Sequence, residues 1–193
     1  MKYKSLTLLL AVTVLYLGAD STARADTITF VGSRDTVDGS PPVPNIGRCG
    51  DPPNLLLTVP AGTGISNLGS FTTADTHCIN MATGSIFNGQ FAWNFGGGNT
   101  FFGTFMGTIA PTATPGVSAF TETFTLMGGT SLFAGASGSL LATGVVLFNA
   151  NGPDTHADFT GTINTVPEPA TLVLLGTGLA GVVAKVRKRR KAA

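Results

Sequence analysis

Within residues 85–95, aromatic and polar side chains alternate along the chain with a period of two. One face of an extended chain would carry Phe87, Phe91, Trp93 and Phe95, and the other Asn88, Gln90 and Asn94. Because successive side chains of a strand point to opposite faces, this pattern predicts a strand with one buried face. Gly96-Gly97-Gly98-Asn99 follows, and residues that tolerate positive φ predict a hairpin turn there.

Similar short runs recur through the middle of the chain, and no long helical period interrupts them. They span residues 27–31, 101–109, 119–126, 138–148 and 158–163. Short turns between successive strands predict an antiparallel meander, and glycines within the strands allow the bends by which a sheet closes. We therefore predict that residues 26–165 form an all-β domain, an antiparallel β-barrel of about eight strands. A two-sheet sandwich is the alternative.

Charge is concentrated at the two ends of the chain. Residues 26–165 contain two cations, Arg34 and Arg48, against eight acids, which gives a net charge of −6. A nucleic-acid-binding domain needs a basic face, so this body is not expected to bind nucleic acid. Outside a cell, a net negative body stays soluble.

The N-terminus has the three parts of a secretory signal peptide. Lys2 and Lys4 precede an apolar run, 6–17, and Ala23 and Ala25 supply small residues for cleavage after Ala25. The apolar run makes about 18 Å of helix, which is short of the ~30 Å hydrocarbon core of a membrane. Residues 1–25 are therefore predicted to be a cleaved signal peptide rather than a permanent anchor.

The C-terminus combines a proline motif, an apolar run and a basic cluster. Pro167, Glu168 and Pro169 come first, followed by the apolar run 170–184 and the cations of 185–191. The apolar run makes about 22 Å of helix, a marginal transmembrane span that flanking cations can extend by snorkelling. Because positive tails stay in the cytoplasm, this helix would anchor the body outside the inner membrane.

The segment VPEPATLVLLGTGLAGVVAKVRKRRK, within 166–193, resembles the PEP-CTERM sorting signal of Gram-negative bacteria. The resemblance implies processing near Pro167–Pro169 by an exosortase, a membrane cysteine transpeptidase. It also implies inner-membrane anchoring before processing, delivery to the cell surface or extracellular matrix, and association with exopolysaccharide. A plain tail anchor is the alternative.

The body shows a second resemblance, in residues 68–72, 84–95 and 127–138. These stretches look like bacterial exported proteins with a calycin-like barrel of the allene-oxide-cyclase or dirigent type. In that group the Gly-Gly-Thr…Phe…Gly-Ala…Gly stretch joins two barrel strands. Here Ser131-Leu132 replaces the usual Gly and basic residue, and no catalytic residue carries over.

Two cysteines, Cys49 and Cys78, lie in the exported part of the chain. In an oxidising compartment we expect them to pair and close a loop of about 30 residues. Two buried free thiols are the alternative.

The histidines do not suggest a catalytic or metal site. His77 and His156 are far apart and lack the spacing of zinc ligands, so no metal or cofactor is predicted and both are expected on the surface. His77 adjoins Cys78, but neighbours in a strand point to opposite faces and would not meet. The chain also lacks a Gly-x-Ser-x-Gly elbow, and no catalytic residue is predicted.

Two features remain as candidate binding groups. Glu122 shares a face with Phe120 and Phe124, so inside a barrel it would be a buried acid lining a pocket; on an edge strand it would be exposed. Oxygen-bearing side chains also surround Gly152-Pro153, and they are Asn149, Asn151, Asp154 and Asp158. Such groups can bind Ca²⁺, but their spacing matches no standard loop and favours a solvated turn.

Together these features predict a non-enzymatic surface or matrix protein whose barrel is a binding or structural module. Aromatic and amide groups on its strand faces, Trp93 among them, could contact extracellular polysaccharide, although such aromatic side chains are more often part of a core. The alternative is a barrel that carries a small ligand, or a cyclase-like enzyme, with Glu122 in its lumen.

Overall fold

The computed structural model describes residues 26–37, 41–149, 152–165 and the single residue 178, without the side chains of residues 60 and 61. The compact body spans Asp26–Thr165. The predicted signal peptide and, apart from residue 178, the segment 166–193 lie outside the described residues. Within the described ranges, no helix has the length and apolar character needed to cross a membrane.

The described residues of the body form eight strands. In chain order they are β1 (Asp26–Thr36), β2 (Asn54–Ser66), β3 (Gly69–Asn80), β4 (Ser85–Asn94), β5 (Thr100–Pro111), β6 (Val117–Thr130), β7 (Ser137–Asn149) and β8 (Gly152–Thr165). Each strand pairs antiparallel with the next, and β1 also pairs with β8, so the sheet closes into a barrel. The prediction of an all-β, antiparallel body is confirmed. A short helix, α1 (Ile46–Cys49), precedes β2, and a single 3-10 turn (Ser131–Phe133) joins β6 to β7.

The antiparallel order gives the barrel two rims. The terminal rim carries both ends of the body, where Asp26 pairs with Thr165, and the turns β2–β3, β4–β5 and β6–β7. The opposite rim carries the turns β3–β4, β5–β6 and β7–β8 and the segment between β1 and β2. At the terminal rim the predicted glycine turn is present: Gly96, Gly97 and Gly98 have φ of 80°, 61° and 81°, which glycine adopts at little cost.

Aromatic rings fill the half of the lumen next to the terminal rim. Trp93 is fully buried at their centre. Its ring centroid lies 4.7–5.9 Å from those of Phe30, Phe71, Phe91, Phe101, Phe124 and Phe159. We call these seven residues the aromatic core. Because six of the eight strands contribute a ring, the core ties the barrel together across its lumen.

A bulge in β4 overturns one sequence expectation. The pairing of β4 with β5 shifts register between Ile86 and Gly89, and Asn88 has a φ of 50°. An extra residue in a strand moves the side chains beyond it to the other face. Ile86 is therefore buried in the core, whereas Phe87 is half-buried and pairs with Cys78. The prediction that Phe87 shares a face with Phe91 is wrong for this reason.

Helix α1 is fixed against the outside of β3 and β4. The Arg48 guanidinium donates to the hydroxyl of Thr76 (2.8 Å) and to the backbone carbonyl of Asn88 (2.8 Å). In return, the Asn88 side-chain amide donates to the carbonyl of Arg48 (3.3 Å). A disulfide joins Cys49 to Cys78, with 5.5 Å between their Cα atoms. These contacts hold α1 beside the bulges, where backbone groups leave the regular ladder.

Candidate functional site

Four charged or titratable side chains point into the lumen on the side of the opposite rim. They are Arg34 on β1, Asp75 and His77 on β3, and Glu122 on β6, and we call them the lumen cluster. Each occupies an inward position of its strand, and none is more than 5% exposed. Burying such groups costs free energy unless they are paired, so the cluster requires a specific account.

Arg34 and Asp75 form a buried ion pair inside the barrel. Asp75 also accepts a hydrogen bond from the indole N–H of Trp93 (3.3 Å), and the Arg34 guanidinium carbon lies 5.5 Å from the ring centroid of Phe159. These contacts join the lumen cluster to the aromatic core. Since each charge compensates the other, the pair leaves the remaining acid of the cluster without a full counter-charge.

Glu122 is that remaining acid. Burial raises its pKa to about 7, against an opposing effect of the Arg34 charge. Among the described residues, no group donates a hydrogen bond to its carboxylate. Glu122 therefore changes charge near neutral pH while keeping its hydrogen-bonding capacity for another partner.

His77 is buried, so the prediction of a surface position is wrong for this residue. Its strand turns Cys78 outward to the disulfide with α1, which directs the neighbouring His77 inward. Burial, together with the charges of Arg34 and Arg48, lowers the His77 pKa to about 4, so the ring is neutral near pH 7. The ring packs edge-on to Phe105 (5.4 Å between centroids). Within the described ranges its Nδ1 atom has no hydrogen-bond partner.

The lumen cluster borders a cavity of about 50 Å³. Arg34, His77, Glu122 and Thr155 form its polar wall, and apolar side chains such as Phe120 and Val146 form the rest. A cavity of this size has room for a water molecule or for a small polar group. Towards the opposite rim, it shares Ile79, Met81, Ile109 and Phe148 with a surface depression of about 330 Å³. The two spaces together offer a polar inner end and a mainly apolar outer end, at which Asn80, Thr83 and Ser118 also lie.

The outside of β1–β4 carries a second concave feature, an open groove of about 600 Å³. Its polar lining consists of Ser33, Asp35, Thr63, Ser70, Thr72 and Asn94. Three cross-strand pairs, Asp35–Thr63, Thr63–Thr72 and Thr72–Asn94, align four of these residues in one row. Phe71 and Phe95 also border it. We call this feature the outer groove.

The other sequence candidates line neither feature. His156 is exposed on β8, as predicted, and its pKa is raised by a hydrogen bond of its Nδ1 to Asp35 (2.7 Å). In the β7–β8 turn the Asn149 amide donates to the Asp154 carboxylate (2.8 Å), and Asn151 lies outside the described residues. No group of three or more His, Cys, Asp or Glu side chains suited to a metal ion occurs in the described part of the chain.

Sequence reasoning missed the Arg34–Asp75 pair. The signal was present in the strand pattern, because Arg34 lies two inward positions beyond Phe30 and Asp75 lies two beyond Phe71. Continuing the inward–outward alternation for four residues beyond Phe30 and Phe71 would have placed both charged side chains inside the barrel. Of the two alternatives for Trp93, a contact for sugars or a core residue, the structure shows the second, because Trp93 belongs to the aromatic core and is fully buried.

Residues 165–190 match a family model described as the PEP-CTERM protein-sorting motif. The chain carries this sorting motif. The PEP-CTERM motif supports an exported protein that is membrane-anchored before processing and sorted by the exosortase pathway to the surface of a Gram-negative cell. The recognition made from Pro167, Glu168 and Pro169 is confirmed. No curated protein and no solved structure matches the chain, so the resemblance of the body to allene-oxide-cyclase or dirigent-like barrels stays a prediction.

Proposed function

We propose that the barrel is a non-catalytic binding module of the extracellular matrix, which contacts neutral polysaccharide through the outer groove. The observation that carries this proposal is the combination of an exosortase sorting motif with a groove lined by hydroxyl and amide groups. A protein delivered to the cell surface by this route meets polysaccharide as its immediate surroundings.

The chemistry of the outer groove suits sugars. Hydroxyl and amide side chains both donate and accept hydrogen bonds, as sugar hydroxyls do. Thr63, Thr72 and Asn94 are exposed, and Phe95 adds a half-buried aromatic surface at the edge of the groove. Aromatic faces pack against the apolar faces of ligands while the polar groups fix their orientation.

The charge of the body favours a neutral polysaccharide over an acidic one. Residues 26–165 carry a net charge of −6, and neither cation of the body lines the groove. Arg34 is inside the barrel and Arg48 is bonded to Thr76 and Asn88. An acidic polymer would meet electrostatic repulsion at this surface.

The polysaccharide contact is tested by co-sedimenting the purified protein with neutral exopolysaccharide isolated from the producing cells. The variant Thr63→Val/Thr72→Val removes two facing hydroxyls with little change of shape, and we expect it to bind at least tenfold more weakly. The matched control, Thr121→Val/Thr143→Val, changes a facing pair on the outer side of β6 and β7. Equal binding by both double variants and the unaltered protein would reject the proposal.

Delivery is tested separately by fractionating cells with and without their exosortase. We expect the protein to change in size and to leave the membrane fraction only when the exosortase is present. An unchanged size and location in the two strains would contradict sorting by this pathway.

A second function, carriage of a small ligand inside the barrel, is favoured by one observation: Glu122 lines a cavity that continues to the opposite rim. We propose that this carriage is also non-catalytic. Glu122 is accompanied by a neutral His77 and by an Arg34 already paired with Asp75, and the aromatic core occupies the adjoining half of the lumen. Such a site can hold a polar group more readily than it can supply a nucleophile and its base.

A further inference from the structure

We propose that the lumen cluster binds the ammonium group of a small amphipathic amine, whose apolar tail lies in the depression at the opposite rim. This inference rests on the proposed carriage of a small ligand and names its chemical class.

The charge of the lumen cluster favours a cation. Arg34 and Asp75 compensate each other as an ion pair, and His77 is neutral near pH 7. With Glu122 ionised, the lumen therefore holds one uncompensated negative charge. A bound ammonium group would neutralise it, whereas a carboxylate would add a second negative charge in a buried site.

Two of the hydrogen-bonding groups of the cavity, Glu122 and His77, favour a donor, whereas the Nε–H of Arg34 is itself a donor without a partner among the described residues. The carboxylate of Glu122 accepts only when ionised, and its oxygens receive no hydrogen bond from the described residues. His77 is more than nine-tenths buried, lines the same cavity, and has an Nδ1 atom without a partner in the described part of the chain. An ammonium group carries three N–H donors, enough to serve both residues at once.

The shape of the site separates the two ends of the ligand. The inner cavity, about 50 Å³, accommodates a head group, and the depression beyond it, about 330 Å³, accommodates a chain of several carbon atoms. Met81 and Phe148 line both spaces and are 54% and 43% exposed. A bound alkyl tail would cover these two side chains.

The probes are n-octylammonium, n-octanol and octanoate, which share a tail and differ in the charge of the head group. Binding to protein purified from exporting cells is measured by titration calorimetry and by the fluorescence of Trp93, the sole tryptophan of the chain. We expect saturable binding of octylammonium, at least tenfold tighter than that of octanol, and none of octanoate. Shortening the chain should weaken binding about fourfold for each methylene removed.

The variant Glu122→Gln removes the acid and keeps the shape of the side chain. We expect it to lose at least tenfold in affinity for octylammonium while its affinity for octanol changes little. Asp158→Asn is the matched control, because it removes one acid from the outer face of β8 and leaves the lumen unaltered. It should bind octylammonium as the unaltered protein does.

The pH dependence of the unaltered protein provides a test that needs no variant. Alkylammonium ions stay charged between pH 5.5 and 8, as lysine does. The charged or titratable groups that share the lumen with Glu122 are Arg34 on β1 and Asp75 and His77 on β3, and the inward described positions of β2, β4, β5, β7 and β8 carry no titratable group. Glu122 is protonated at pH 5.5 and largely ionised at pH 8, so octylammonium should bind at least tenfold more tightly at pH 8.

The outcomes separate this inference from the function on which it rests. Tighter binding of octylammonium that depends on Glu122 and on pH supports both. If octanol or octanoate binds as well as octylammonium, carriage stands and the preference for an amine is wrong. If none of the three probes binds, both are wrong.

Discussion

The two halves of the barrel lumen are built on the same strands and differ in what those strands place inside. In β1 the inward residue is Phe30 near the terminal rim and Arg34 further on, and in β6 it is Phe124 and then Glu122. One half is close-packed with rings, and the other encloses charges and a cavity. Packing stabilises the fold, whereas buried titratable groups oppose it, so the polar half is where a binding function is expected.

The largest effect should come from breaking the aromatic half. Trp93→Ala removes the ring at the centre of the aromatic core, and we expect it to lower the free energy of unfolding by about 3–5 kcal/mol. Phe102→Ala, a change on the outer face where the ring is 45% exposed, should lower it by less than about 1 kcal/mol. Urea unfolding of the two variants tests this, and similar losses would show that the core does not depend on Trp93.

The polar half should depend on its cross-link. The disulfide between Cys49 and Cys78 closes a loop across a separation of 29 residues and holds α1 outside β3. We expect Cys49→Ala/Cys78→Ala to lower the free energy of unfolding by about 3–4 kcal/mol, measured by urea unfolding. Adding a reductant to the unaltered protein should reproduce the loss and leave the double variant unchanged. A loss below about 1 kcal/mol would assign the stability of this half to packing.

The dependence of the free energy of unfolding on pH should distinguish the polar half from the aromatic half. Because the Glu122 pKa is raised from 4.5 to about 7 in the folded state, the protein loses stability as the pH rises through that interval. Glu122→Gln should remove this loss and, at pH 8, unfold with a free energy about 2–3 kcal/mol higher.

Unfolding curves between pH 4 and 8 measure this effect, with Asp158→Asn as the control. His77 acts in the opposite sense. Its pKa is lowered to about 4, so the stability it contributes is lost as the pH falls from about 6.5 to 4. In the Glu122→Gln variant, the loss of stability at acid pH that arises from His77 should remain, and the loss at higher pH that arises from Glu122 should be absent. The same pH profile in the unaltered protein and in Glu122→Gln would contradict the burial of a titrating acid.

The smallest expected effect concerns the support of the polar half from outside. Arg48→Met removes the hydrogen bonds to Thr76 and Asn88 and should lower the free energy of unfolding by about 1–2 kcal/mol. Arg48→Lys keeps the charge but has one nitrogen to reach separate acceptors, so its loss should be intermediate. Equal stability of the three proteins in urea would mean that the disulfide alone holds α1.

Strand periodicity predicted much of the body. The alternation from Gln90 to Asn94 and the shared face of Phe120, Glu122 and Phe124 follow from a period of two, which is a local property of a strand. The glycine turn at Gly96–Gly98 follows from residues that tolerate positive φ, which is also a local property. These features required no knowledge of which strands are neighbours.

The remaining features depend on contacts between distant residues. Arg34 and Asp75 are separated by 41 residues and meet only because the barrel closes. The bulge at Asn88 reverses the faces of Ile86 and Phe87, and no pattern in the sequence of β4 alone predicts this bulge. His77 points inward because Cys78 is bonded to α1 on the outside. In each case the register between strands decides the outcome.

The pairing of Asp26 with Thr165 has a mechanical consequence for a body held through the residues that follow β8. A tension applied at Thr165 and directed along the strand would load β8 lengthwise against β1 on one side and β7 on the other. The hydrogen bonds that join β8 to both neighbouring strands would then be loaded in shear at the same time, instead of breaking one after another. We expect such a tether to withstand drag from flowing liquid better than one that peels a strand from an edge.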